Sequence, residues 1–452
     1  MKRINQLLFK SVSIAPLVIF RIIFGVLLIF GAIRFMVNGW VYDMYIQPKM
    51  YFGYLGFEWV KPLPGNWMYL PFILFLVGAF GLLVGVFYRF SSIILFLSFT
   101  YIELLDKSNY LNHYYFISLM TFLFMFVPAN RSFSLDVKWG RVKAIDKTPL
   151  WTIGAFKFQL AIVYIFAGIA KLESDWLIDA QPLKIWLQAH RDMPIFGTLL
   201  SKNWIAYVFS WFGFFYDLFI VLFLLNVRTR GIAYFFVVVF HVITWYLLPI
   251  GIFPWVMICS TLIFFSDSFH NSILNKLKSA FKYSESISNI TQKHSSVLKI
   301  GIFLFILFQV FIPFRYLLYP GNLCWNEEGF RFSWRVMLMH KEGMATFYIK
   351  DKSSGREIEI NNKQYLTPTQ HDQMTTQPDM ILQYADFLRN KFNDTIIRVD
   401  DSLFKIKNPS VHAEIYVSLN GRPSQLFVSK KHDLTSFSYN LAHRNWLEPY
   451  TP

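Results

Sequence analysis

The chain has 452 residues, 55% hydrophobic and 19% aromatic but only 16% charged, against about a quarter charged in an ordinary soluble protein, and this excludes a fold that is water-soluble throughout. The net charge of +15 does not signal nucleic acid, because the basic residues fall in short loops between apolar runs, where membrane topology puts them. Two isolated cysteines, Cys259 and Cys324, with no CxxC and no spaced His/Cys set, argue against a disulfide framework or a structural zinc site.

The first apolar run follows Lys2, Arg3 and Lys10. It is too long for a signal peptide and lacks an A-x-A-like cleavage site, so it reads as a retained first span. Nine spans are predicted, near 13–36, 67–88, 90–105, 111–127, 151–171, 203–226, 230–248, 252–266 and 297–318, from apolar length. The third, fourth and eighth are short, which suits tilted, re-entrant or hairpin segments inside a bundle. Basic residues gather in the segments that face the cytoplasm if the N-terminus does, among them Lys138, Arg141, Lys143, Lys276, Lys278 and Lys293. The bias predicts a cytoplasmic N-terminus and a C-terminal region outside the cytoplasm.

Arg21 lies at least two turns inside the first span, and snorkelling to the inner interface is preferred there over a functional reading. Gly78, Gly81 and Gly85 predict a close helix-packing seam. The loop 37–66, with Trp40, Tyr42, Tyr45, Tyr51 and Trp59, reads as an interfacial aromatic belt. A polar bridge, IELLDKSNYLNHYY (102–115), then brings Asp106, Lys107, Asn112 and His113 to the outer side.

In AIVYIFAGIAKLESDW (161–176), Tyr164, Gly168, Lys171 and Asp175 are spaced four, three and four apart, along one helical stripe. Two readings of Lys171 stay open. It is either an interfacial lysine paired with Asp175 or Glu173, or a partly desolvated amine able to act as a base. His241 lies about two turns before the outer end of the seventh span, with Trp245 one turn on. Taken alone, His241 reads as a satisfied core histidine. The topology count, however, puts Lys171, His113 and His241 in one leaflet, so that two imidazoles, an amine and the Asn112 amide can line one outward pocket.

Beyond Pro313 the long apolar runs stop. Alternation in Ala345–Lys350 and Arg356–Ile360 around Ser353-Ser354-Gly355 predicts a hairpin, Ile415–Leu419 runs into an Asn420-Gly421 type I′ turn signal, and a helix is predicted over Asp379–Lys391. There is no Gly-rich phosphate loop, HExxH or nucleophile elbow, so kinase, metalloprotease and hydrolase readings have no footing.

Four stretches, LLDKSNYLNHYY (104–115), VYIFAGIAKLESDW (163–176), FHVITWYLLPIGIFPWVM (240–257) and YPGNLCWNEEGFRFSWRVMLMHK (319–341), resemble in content and order those of the vitamin K-dependent γ-glutamyl carboxylase family and its bacterial membrane homologues. The resemblance implies a polytopic α-helical membrane domain over 1–318 and an extracytoplasmic β-rich domain over 319–452, in a bacterial inner membrane rather than the endoplasmic reticulum. It implies that Lys171 deprotonates reduced vitamin K (phylloquinol or menaquinol) and that O2 adds to the quinol anion. The rearranged alkoxide would then take a γ-proton from a protein glutamate, and the carbanion would attack CO2.

His113 and His241 would join Lys171 as catalytic residues, Asn112, Tyr164, Gly168 and Trp245 would hold the quinol, and Asp106, Lys107, Asp175 and Trp334 would support them. No metal and no nucleic acid are implied; the partners are a glutamate-containing protein or peptide, CO2, O2 and the bilayer. The chain departs from animal members in having Ala170 before Lys171 rather than a second lysine, in its shorter soluble region, and in a segment 342–452 without a recognisable substrate-binding motif. Quinol epoxidation without carboxylation, and non-catalytic quinone or lipid binding, are the alternatives. A transporter would show inverted repeats, and none stands out.

Overall fold

The computed structural model describes residues 6–288, 296–399 and 402–451; Lys2, Arg3 and Lys293 lie outside them. Each predicted span corresponds to a helix: α1 (Ala15–Val37), α2 (Tyr69–Val84), α3 (Tyr88–Leu105), α4 (Asn112–Phe124), α5 (Leu150–Ala170), α6 (Asn203–Leu225), α7 (Arg230–Leu247), α8 (Phe253–Thr261) and α9 (Ser296–Phe311). A 3-10 turn lengthens α2 at its start, and others extend α8 to Phe264 and α9 to Leu318. Seven of the nine are long and apolar enough to cross a membrane. The exceptions are α4, with 13 residues, and α8, which reaches only from Phe253 to Phe264. The third segment, expected to be short, has 18 residues and qualifies.

The bundle packs around α1, where Phe20 meets Phe156 at 5.0 Å and Phe156 meets Phe124 at 4.8 Å between ring centroids. The glycine seam joins α2 to α3. A Cβ on Gly78 would lie 2.9 Å from the Leu95 backbone nitrogen, and one on Gly81 would run into Ser91. Gly85 plays another part: in the left-handed region at φ 66°, it ends α2 and leaves room for the Arg21 guanidinium. Arg21 does not snorkel. It is fully buried, with Nη2 donating to the Phe133 carbonyl at 2.6 Å and Nη1 to that of Leu82 at 3.4 Å. The loop at Phe133 and the last turn of α2 supply the acceptors that water was expected to supply.

The C-terminal region holds β1 (Lys341–Lys350), β2 (Glu357–Ile360), β3 (Ile396–Val399), β4 (Ser402–Lys405), β5 (Ser410–Leu419) and β6 (Gln425–Val428), with helices α10 (Pro368–Met374) and α11 (Pro378–Phe392). The main sheet is antiparallel in the order β2-β1-β5-β6. The predicted hairpin is β1–β2, and the predicted helix is α11. Asn420 and Gly421 both have positive φ, at 53° and 78°, but the loop runs on to Ser424 rather than closing in two residues.

The longer loop docks on the membrane region. Asn420 Nδ2 donates to Asp175 Oδ2 at 2.6 Å, and Arg422 grips both Asp175 oxygens at 2.8 and 2.9 Å. These bonds and the Arg422 charge outweigh the cost of partial burial and hold the Asp175 carboxyl below its usual 3.8. A depressed carboxyl stabilises the fold above its unfolded pKa and loses that contribution as pH falls through the folded one. Arg422→Ala is therefore expected to cost about 1 kcal/mol near neutral pH, the size of a good half-exposed pair. In thermal melts the gap from wild type should narrow below pH 4, and a gap that widened on acidification would contradict this.

Candidate active site

Helix α5 ends at Ala170; Lys171 is its C-cap, Glu173 is extended at φ −124°, and Asp175 belongs to a separate turn, Ser174–Leu177. The predicted stripe is thereby broken. The Lys171 side chain turns back along the helix and is 5% exposed. Its Nζ donates to the Ala167 carbonyl at 3.3 Å and to Asp217 Oδ2 on α6 at 2.6 Å, 5.1 Å from the centre of the Trp176 ring. Neither expected partner is available: Asp175 is taken by Arg422, and Glu173 by Arg335 at 2.5 Å.

Gly168 explains why Asp217 can reach. A Cβ there would come within 2.8 Å of the Leu218 backbone nitrogen, so the absence of a side chain lets α5 and α6 close backbone to backbone beside Asp217. Gly168→Ala is expected to push the helices apart at a cost of about 1–3 kcal/mol, seen as a lower Tm. An unchanged melt would sink this account.

Tyr164, one and two turns before Gly168 and Lys171, points its hydroxyl at His241 Nε2 at 3.2 Å and at Thr261 Oγ1 at 3.4 Å. The Thr261 hydrogen is committed to the Met257 carbonyl at 2.7 Å, so in the Tyr164–Thr261 contact the phenol is the donor. His241 Nδ1 is buried without a hydrogen-bond partner among the described residues, which is costly unless something else fills the position.

Lys171, Asp217, Tyr164 and His241 line one cavity enclosing about 920 Å³ of space, its open mouth included. Its other walls are apolar, with Phe240, Phe253 and Met257 among them, and Val336 and Met337 from the segment entering the C-terminal region border it.

The remaining predicted residues lie outside this wall. The His113 ring, at the start of α4, is 5.5 Å from Phe253, whose ring is 5.9 Å from that of His241; Phe253 stands between the two imidazoles. The Asn112 amide is spent on its neighbours, Nδ2 donating to the Arg335 carbonyl at 3.0 Å and Oδ1 accepting from the Tyr110 hydroxyl at 3.1 Å. Trp245 is 47% exposed and packs edge-on against Trp255. Asp106 caps the bridge through the Ser108 N–H at 2.9 Å and accepts from Gln370 at 2.7 Å. Lys107 pairs with Asp379 at 2.9 Å. Trp334 is fully buried and stacks on Tyr115 at 4.9 Å.

Asp217 was missed in the sequence. The signal was present, since it is the one charged residue in 203–225, and an ionisable group within a span is by default a functional candidate. Among the described residues no group of three or more His, Cys, Asp or Glu is placed to hold a metal ion.

Residues 9–269 match the family model described as HTTM domain, and residues 294–452 match that described as vitamin K-dependent gamma-carboxylase, lumenal domain. No solved structure matches the chain.

Proposed function

We propose that this chain, which belongs to the vitamin K-dependent gamma-carboxylase family and is an enzyme of that family, carboxylates the γ-carbon of protein glutamate with CO2, coupled to epoxidation of reduced vitamin K by O2. The observation that carries the reading is the Lys171–Asp217 pair, buried in the wall of an apolar cavity beside the uncommitted His241 Nδ1. The cavity fits a quinol on two counts: its walls suit a ring and an isoprenoid tail, and its few polar side chains can bind ring oxygens.

When bound, reduced vitamin K supplies the reducing electrons and the strong base that the glutamate γ-carbon requires. The chain's own residues supply the rest. Between them Lys171 and Asp217 carry one proton fewer than their full complement, whether written as ammonium and carboxylate or as amine and acid. The pair can therefore take one proton from a ring hydroxyl. Tyr164 fixes the His241 ring through Nε2 and leaves Nδ1 to hold an oxygen of the ligand. The aromatic and aliphatic walls exclude water, which would quench a strong base or a carbanion.

Gly168 acts by admitting Asp217. Asn112, holding the Arg335 carbonyl next to Val336, positions the cavity mouth, and His113 backs Phe253. Trp245 is assigned to the bilayer path of the tail. The apolar helices and the lumenal-domain match support an integral membrane protein with a non-cytoplasmic C-terminal region. A cytoplasmic N-terminus in a bacterial inner membrane is the orientation assigned.

The test uses purified protein in nanodiscs, started anaerobically with reduced vitamin K, a short glutamate peptide and bicarbonate carrying labelled carbon, then exposed to air. Epoxide and acid-stable label are expected together. Epoxide without label on any glutamate peptide would restrict the activity to quinol epoxidation. Neither product, with quinol still bound, would make the chain a binding protein.

A further inference from the structure

Helix α9 is the least buried of the membrane-span candidates among the described residues. Only 11% of its apolar window is buried, and between it and α3 and α4 lies a cleft of about 1360 Å³, open on one side. Three helical stripes face this space: Phe96, Thr100 and Glu103 on α3, Ser118 and Phe122 on α4, and Gly301, Phe305 and Gln309 on α9. Each follows the three-to-four-residue spacing of a single helix face. The cleft shares no lining residue with the Lys171 cavity.

Three of its polar groups keep atoms without a partner among the described residues. Gln309 is fully buried, its Nε2 reaches the Tyr115 hydroxyl at 3.4 Å, and its Oε1 has no partner among the described residues. Thr100 Oγ1 is likewise buried and unpartnered. Glu103 lines the cleft and makes no hydrogen bond or ion pair among the described residues. A carboxyl and an amide left unpaired in an apolar region are costly, and an amide oxygen can only accept. A ligand that relieves Gln309 must donate a hydrogen bond, and the Glu103 carboxyl can accept a second.

The walls specify the body that carries those donors. Phe332 lies edge-on to Tyr115 at 4.9 Å, and the Phe122 and Phe305 rings are roughly parallel at 6.3 Å. Aromatic walls of this kind suit a flat ring, and the open side lets an apolar tail lie in the bilayer. A phospholipid acyl chain would fill the space but satisfy none of the acceptors.

We infer that the cleft between α3, α4 and α9 is a second binding site for an isoprenoid hydroquinone, its ring hydroxyls donating to Gln309 Oε1 and Glu103. Preference for a quinol over other ring-bearing donors rests on the reading of the Lys171 cavity, and the test separates the two. Phylloquinol binding is measured anaerobically, at equilibrium and without turnover, on the full chain in nanodiscs.

Wild type is expected to bind two equivalents. Gly301→Phe fills the cleft where a Cβ meets nothing within 4 Å and should leave one. Gly213→Leu, whose Cβ would make only ordinary contacts with Trp176 and Lys171, fills the Lys171 cavity and should remove the other. Gln309→Leu should weaken the cleft for phylloquinol about tenfold, the loss of one good hydrogen bond, and leave oxidised phylloquinone unaffected.

If Gly301→Phe still binds two equivalents, or if it only sheds co-purifying phospholipid, the inference is overturned. If Gly301→Phe removes all binding while Gly213→Leu removes none, the inference stands and the reading of the Lys171 cavity falls.

Discussion

Lys171→Ala is expected to abolish both epoxide formation and glutamate labelling, and also to destabilise the protein. The second effect arises from the pairing seen in the fold. Removing one partner of a buried ion pair strands the other, at a cost of about 3–5 kcal/mol, and Asp217, with a side chain 8% exposed, pairs with no other cation among the described residues. Loss of activity in the single variant would therefore leave chemistry and folding confounded. Lys171→Ala combined with Asp217→Asn removes both charges, so its Tm should recover most of the loss while turnover stays down by about 10²–10⁴, the range for a missing general base. A double variant with full activity would show that the pair takes no proton in the reaction. One that melted as low as Lys171→Ala would show that the stability cost comes from packing rather than from a stranded charge.

What the sequence disclosed about this site follows a physical divide. Apolar run length located all seven helices that are long and apolar enough to cross a membrane among the described residues, because a span must satisfy its own backbone. Lys171 and His241 stood out as ionisable groups within such runs, and both line the cavity. Partner choice did not follow from spacing. Asp175 lies one turn beyond Lys171, yet it is captured by Arg422, 247 positions away, because α5 stops at Ala170 and turns the carboxylate outward. A topology count gives depth and not azimuth. It could not reveal that Phe253 stands between His113 and His241. Asp217 was legible by the rule that singled out Arg21, and it was overlooked because no second polar residue marked its helix turn. Asn112 carries a hydrogen-bonding amide, but the junction at Arg335 takes it up, a contact across 223 positions.

The second large effect is expected at Asp379, far from the chemistry. Its carboxylate joins the membrane region to the C-terminal region, accepting from Lys107 at 2.9 Å and from Arg331 at 2.6 Å, while Arg331 also reaches Gln377. The Lys107 side chain has no exposed surface and Arg331 is 17% exposed. Burial works against the Asp379 charge, but the two cations outweigh it and hold the carboxyl well below its usual range. Burial, only partly offset by Asp379, brings Lys107 down to about 8. In Asp379→Ala, Lys107 can therefore shed its proton near neutral pH, whereas an arginine cannot.

The stranded charge is that of Arg331, and a loss of about 3–5 kcal/mol is expected, read as a lower Tm in nanodiscs. Combining Asp379→Ala with Arg331→Ala should cost less than the sum of the two singles by about 1–3 kcal/mol; strict additivity would mean that the pair is not coupled. The sign with pH is fixed as well. A depressed carboxyl gives its full stabilisation above the unfolded value of 3.8 and loses it as pH falls. The Tm gap between wild type and Asp379→Ala should accordingly widen from pH 7 to 5, as the stranded Lys107 regains its proton in the variant, and narrow below pH 4 as wild type loses the Asp379 charge. Arg331 is only five residues before Val336 at the cavity mouth, so a loosened tie should also admit water to the Lys171 cavity. Turnover in Asp379→Ala should then fall more steeply with temperature than in wild type, well below the melting transition.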